Sequence, residues 1–135
     1  MTKGHGVDQE FPKSFNWFKK AAERGVANAQ AVLGLMYDEG NGVEQDYSQA
    51  AIWYQKAAGQ GDVGAQVLLA AMYLKGRGVA QNDVKAVYWY RNAAEQGLAE
   101  AQNYLGAMYY EGRGVDRDCA HAAFWFKKAA EQGDA

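Results

Sequence analysis

Few side chains in this sequence have types and spacings that could do chemistry. There is one cysteine, Cys119, and two histidines, His5 and His121. A thiol at the start of a helix can have a lowered pKa and become nucleophilic. His121 lies close to it but falls on a helix surface position that other segments fill with Gln49 and Lys85, so it is not placed as a base. His5 takes a loop position held elsewhere by Asn41 and Arg77. One thiol and two separated imidazoles are too few for a metal site. Asp38, Glu39 and Glu111 could in principle pair for acid–base work. They are spread over successive segments, with no serine, histidine or oxyanion-forming loop beside them. The last candidate is "YEGRGV", Tyr110–Val115, which has a basic residue inside a glycine loop. A dinucleotide fingerprint needs a preceding strand and a third glycine three residues on, and a P-loop needs Gly-Lys-Ser/Thr. The third-glycine position holds Gln45, Gln81 or Arg117. The loop therefore reads as a helix-ending turn, and no catalytic residue, cofactor or metal is expected.

The elements that carry these residues follow from an internal repeat. Trp17, Trp53, Trp89 and Trp125 are spaced 36 residues apart, as are Gly25, Gly61, Gly97 and Gly133. Leu33, Leu69 and Leu105 keep the same step, as do Tyr37, Tyr73 and Tyr109. The glycine loop recurs as "YDEGNGV", "YLKGRGV" and "YYEGRGV", with a worn copy, "KGHGV", at Lys3–Val7. Each unit reads as two helices. Ala29, Leu33 and Met36 form one helical stripe over roughly 27–38; Ala50, Trp53, Tyr54, Ala57 and Ala58 form another over roughly 47–58. Asp46, Asn82 and Asp118 stand as N-caps of the second helix. Gly40, Gly76 and Gly112 stand as left-handed ends of the first. Small residues at Gly34, Ala70 and Gly106 imply close helix approach, and the tryptophans beside alanines read as core. A unit with two apolar stripes cannot bury both alone, so neighbours must stack.

Composition agrees. The chain has 135 residues, a net charge of -2, sixteen glycines and one proline. That suits helices punctuated by glycine, and it argues against a broad basic surface for nucleic acid. No apolar run is long enough to span a membrane. With no secretory pattern at Met1–Gly6 and a lone cysteine, a cytoplasmic location is expected, although the native N-terminus could lie upstream.

The repeat resembles the Sel-1-like repeat, a relative of the tetratricopeptide repeat. The matching positions are Ala29, Gln30, Leu33, Gly34, Tyr37, Gly40, Gly42, Val43, Ala50, Trp53, Tyr54, Ala57, Ala58 and Gly61. The resemblance implies an all-α fold, an α/α superhelix of antiparallel helix pairs in which the first helix of each pair lines the concave side. It also implies a protein-binding adaptor that rarely does chemistry. Some bacterial relatives carry a disulfide in each repeat, which one cysteine does not allow. Residues 1–135 are expected to form a single repeat domain: a partial repeat at 1–24, repeats at 25–60, 61–96 and 97–132, and the start of another at 133–135. Phe11–Glu23 is expected to be a second helix without its partner, with Pro12 in its first turn, which makes seven helices. The ends then read as open to further repeats or to end-to-end self-association.

A partner is expected where repeats differ on one face. The candidate groove residues are Asn28, Ala31, Leu35, Asp38 and Glu39; Val67, Ala71, Leu74 and Lys75; and Glu100, Asn103, Ala107, Tyr110 and Glu111. Small residues leave room, Leu35, Leu74 and Tyr110 offer apolar anchors, and the acids favour a protein or peptide with basic residues. Arg113 reads as free to make a contact. The alternatives are a cell-wall-directed hydrolase, as suggested for some relatives, and an excised or designed module without a partner of its own.

Overall fold

A computed structural model describes the backbone of residues 5–133 and the side chains of residues 13–133. Among these residues there are seven helices: α1 (His5–Glu23), α2 (Ala27–Glu39), α3 (Tyr47–Gly59), α4 (Val63–Lys75), α5 (Asp83–Glu95), α6 (Ala99–Glu111) and α7 (Cys119–Gly133). None is long and apolar enough to cross a membrane.

The helix boundaries have local causes. Asp46 accepts from the Gln49 amide at 3.1 Å, Asn82 from Lys85 at 3.1 Å and Asp118 from His121 at 3.0 Å, so α3, α5 and α7 each start on a side-chain cap. Among the first helices, α2 and α6 begin on Val26 and Leu98 without a side-chain cap. Before α4, Asp62 supplies one, accepting from the Ala65 amide at 2.9 Å. The glycine loop is the turn that the sequence implies: Gly40, Gly76 and Gly112 lie at φ 73, 71 and 71°, a left-handed conformation that favours glycine. Their first hydrogen bonds close back on the helix, as from the Gly40 amide to the Met36 carbonyl at 2.8 Å.

The pairs are antiparallel. In α6 and α7, Tyr109 near the loop stacks on His121 near the loop, Gly106 further back faces Phe126, and Gln102 further still meets Gln132. The chain forms two compact units, Met1–Ala65 and Gln66–Ala135. In the first, α2 packs on α1 and α3; Ala22, Ala29 and Leu33 form a buried cluster flanked by Phe15, Phe18, Tyr37 and Trp53. In the second, α6 packs on α5 and α7 around Leu105, Ala101 and Met108.

Two expectations are corrected. The worn loop copy is not a loop: residues 3 and 4 lie outside the described residues, and His5–Val7 begin α1, which places Pro12 inside the helix rather than in its first turn. The tryptophans are not the core either. Trp17 is 78% exposed and Trp53, Trp89 and Trp125 are half-buried, while Tyr54 and Tyr90 are fully buried. Adjacent helical positions differ by about 100°. The tyrosine therefore points at its paired first helix while the tryptophan is turned to the flank.

The glutamine of each Ala-Gln step clasps successive elements. Gln30, Gln66 and Gln102 are buried. Gln30 donates to the Ala22 carbonyl at 3.1 Å and accepts from Gln60 at 2.8 Å. Gln102 donates to the Ala94 carbonyl at 3.1 Å and accepts from Gln132 at 2.9 Å, while Gln66 accepts from Gln96 at 2.8 Å. A buried amide needs such partners, because leaving one unmade costs about 1–3 kcal/mol.

Candidate functional site

The expected groove residues lie on three helices. On α2, Asn28, Leu35 and Glu39 are exposed and Ala31 is half-buried. Leu35 and Glu39 border a cavity of about 220 Å³ with Ser14, Phe18, Val32, Met36 and Asn41. On α4, Lys75 is exposed and Ala71 and Leu74 are half-buried. On α6, Glu100, Asn103, Tyr110 and Glu111 are exposed and Ala107 is half-buried. Glu100, Asn103 and Ala107 line a hollow of about 370 Å³ together with Tyr104.

Three residues depart from their expected roles. Val67 is only 7% exposed, so it offers no surface. Valine gains by burial, whereas Asn103 at the same repeat position has an amide that must stay hydrated or paired. Asp38 is not a free rim acid: it is half-buried and accepts from the Tyr54 hydroxyl at 3.0 Å. Arg113 is not free: its guanidinium pairs with Asp83 at 3.0 Å. Gly114 seals this contact, since a Cβ there would stand 2.4 Å from the Asp83 carbonyl oxygen. Tyr110 keeps its exposure, 55%, and carries the Arg117 guanidinium 5.5 Å from its ring centre, while Arg117 Nε donates to the Tyr110 carbonyl at 3.0 Å.

Tyr104 was missed because its position holds Val32 and Leu68 in the other repeats, and so reads as a flank of the core stripe. Its ring stacks on Tyr90 at 4.8 Å and 15°. Tyr90 in turn has a buried hydroxyl with no hydrogen-bond partner among the described residues. The cause is one substitution: Leu74 stands where Asp38 accepts from Tyr54. Burial raises both phenols well above the usual tyrosine range; the Asp38 carboxylate adds to the effect at Tyr54, and Tyr104 and Glu100 add to it at Tyr90.

A second kind of hollow lies on the flank of the second helices and includes none of the expected groove residues. In the first unit, Lys19, Tyr37, Gln49 and Trp53 border a cavity of about 460 Å³ with Val43, Glu44, Gln45 and Asp46. In the second unit, Arg91, Tyr109, His121 and Trp125, the residues 72 positions on, border another of about 460 Å³ with Glu95, Ala120 and Phe124. The Arg91 guanidinium donates to the Tyr109 hydroxyl, and His121 Nδ1 lies 2.8 Å from an Asp118 carboxylate oxygen. The cap bond from the His121 amide, and then this contact, hold the Asp118 carboxyl below the ordinary aspartate range. Cys119 is exposed as a free thiol at the start of α7.

Comparison with known proteins places this geometry. The sequence model of the Sel1 repeat matches residues 1–26, 27–62, 63–98 and 99–134. The solved structure of c5321, a protective antigen present in uropathogenic Escherichia coli strains displaying an SLR fold, aligns with a TM-score of 0.89 and 49% identity, over 91% of this chain and 26% of that one. A Sel1 repeat protein from Oxalobacter formigenes aligns at 0.85 and 38%, over 93% of this chain and 50% of that one. Helicobacter pylori cysteine rich protein B aligns at 0.72 and 23% over 97% of this chain and 94% of that one, a likeness of fold alone. The chain thus spans about a quarter of the first protein and half of the second. No curated protein matches it. These likenesses agree with an all-α, α/α superhelical fold class.

Proposed function

Because the chain belongs to the Sel1 repeat family, we propose that it is a non-enzymatic scaffold that holds a peptide or protein segment on the exposed faces of its first helices. Members of the family are in general protein-interaction scaffolds. The observation that carries the reading is on α6: Glu100, Asn103, Tyr104 and Ala107 surround a hollow of about 370 Å³, with exposed Tyr110 and Glu111 further along the same helix. A tyrosine anchor beside a pocket with a polar rim is the arrangement in which a few side chains carry most of a binding energy. Glu100, Glu111 and, on α2, Glu39 favour a segment with basic residues. On α2, Leu35 is the matching apolar contact.

The test is capture of partners from the source cell by the purified chain, repeated with Tyr110→Ala and Leu35→Asp. Loss of a captured protein with either variant, with helical circular dichroism unchanged, supports the reading. Retention of every partner by both variants rejects it.

A further inference from the structure

We propose that the unit Gln66–Ala135 carries a second binding site on the flank of its second helices, for a peptide segment that joins an aromatic side chain to an adjacent acidic residue. The cavity there, about 460 Å³, is of the size that takes a large side chain with part of its backbone. Its walls are flat. Phe124 and Trp125 meet edge to face at 5.1 Å and 81°, and Tyr109 and His121 stack at 4.8 Å and 22°. Phe124 is 51% exposed even with the Lys128 ammonium 5.5 Å from its ring centre, so an aromatic guest finds ring surface to pack on. Arg91 supplies the cavity with a guanidinium. One of its donors goes to the Tyr109 hydroxyl, and a guanidinium has five. Glu95, one turn further along α5 and exposed at the rim, orients the guest with its acid towards Arg91 and its amide groups towards Glu95.

The other unit supplies the contrast. At matching repeat positions Arg91 stands in place of Lys19, His121 of Gln49 and Phe124 of Ile52. All three changes bring a planar group that stacks. The matching cavity of the first unit has the same volume, but the Glu44 and Asp46 carboxylates line it, whereas in the second unit Asp118, the counterpart of Asp46, is held by both the amide and the ring of His121. Selectivity between two similar hollows is therefore part of the proposal, which does not rest on the first-helix reading.

The probe is an acetylated, amidated tetrapeptide, Gly-Asp-Phe-Gly, titrated into the full chain while the indole N–H signals of Trp53 and Trp125 are followed by NMR. A saturable shift at Trp125 and not at Trp53, with a dissociation constant of roughly 0.1–1 mM, is expected. Asparagine in place of the peptide's aspartate weakens binding about fivefold, as for loss of one partly exposed charged contact. Arg91→Gln gives the same loss, Arg91→Lys loses less, and Tyr110→Ala changes nothing. Equal shifts at both indoles, no saturable shift up to about 5 mM, or an Arg91→Gln variant that titrates like the parent would overturn the proposal.

Discussion

At the scale of single residues, three tyrosine-position side chains show how one substitution decides whether a buried group is satisfied. Tyr54 has Asp38, Tyr90 has Leu74 in its place, and Phe126 has no hydroxyl to satisfy. A hydrogen bond to a charged group stabilises by about 1.5–3 kcal/mol, and an unpaired buried hydroxyl costs about 1–3 kcal/mol. Tyr54→Phe is therefore expected to lower stability by about 1–2 kcal/mol, while Tyr90→Phe is neutral or stabilises by about 1 kcal/mol. Urea unfolding of the two variants checks this, and an equal loss in both would contradict it. The same phenols give a pH dependence. Their folded pKa values are raised, so the folded chain holds those protons more tightly than the unfolded one. That contribution is fully present below the unfolded value of about 10 and is lost as pH rises past it. Melting temperature should fall above about pH 10, with part of the phenolate absorbance appearing only on unfolding. The Tyr54→Phe/Tyr90→Phe double variant should show a shallower alkaline fall.

At the scale of elements, the recurring small residue in each first helix is a packing device with a different tolerance in each pair. A Cβ on Gly34 would stand 2.6 Å from Tyr54 Cδ1, in a ring that is fully buried and tied to Asp38. The middle repeat carries Ala70 at this place, opposite a tyrosine without that tie. On α6, a Cβ on Gly106 would meet Phe126 at 2.9 Å, but Phe126 is partly exposed and can yield. Overpacking a fixed core costs about 1–3 kcal/mol, against which alanine's helix propensity returns up to about 1 kcal/mol. Gly34→Ala should therefore destabilise by about 1–2 kcal/mol and Gly106→Ala by less than about 1 kcal/mol. Adding Asp38→Leu to Gly34→Ala recreates the Ala70–Tyr90–Leu74 set. The double variant should lose less than the sum of the singles by about 1 kcal/mol, as contacting residues do. A strictly additive double-mutant cycle would show that the hydroxyl tie does not fix the ring.

At the scale of the whole molecule, the repeat carried most of the legible information. A strict 36-residue register gave the helix pairs, their caps and the left-handed glycines, because each depends on a local residue type at a fixed offset. What escaped was set by direction and by partners distant in sequence. Helical spacing cannot distinguish Trp53 on the flank from Tyr54 in the core, since both fall near one stripe. Nor does it show that Asp38 and Arg113 already have partners 16 and 30 residues away. The face of α6 was legible because its residues vary against a constant frame; the cavity beside Trp125 was not, because its lining comes from three helices. The glutamine clasps are a feature of the array as a whole, and they predict how damage adds up. In a linear array each element couples to its neighbours only. Gln66 and Gln102 meet at the same place, since Gln96 donates to Gln66 and the Ala94 carbonyl accepts from Gln102 at the end of α5. Gln30 and Gln102 lie 72 residues apart, and their clasps have no partner in common. Each Gln→Leu change should cost about 1–3 kcal/mol through the polar partner left unpaired. The Gln30/Gln102 double variant should then be additive within about 0.5 kcal/mol, and the Gln66/Gln102 double should depart from additivity by more than that. Coupling of equal size in both doubles, measured by denaturant unfolding, would mean that stability is not passed from neighbour to neighbour in this chain.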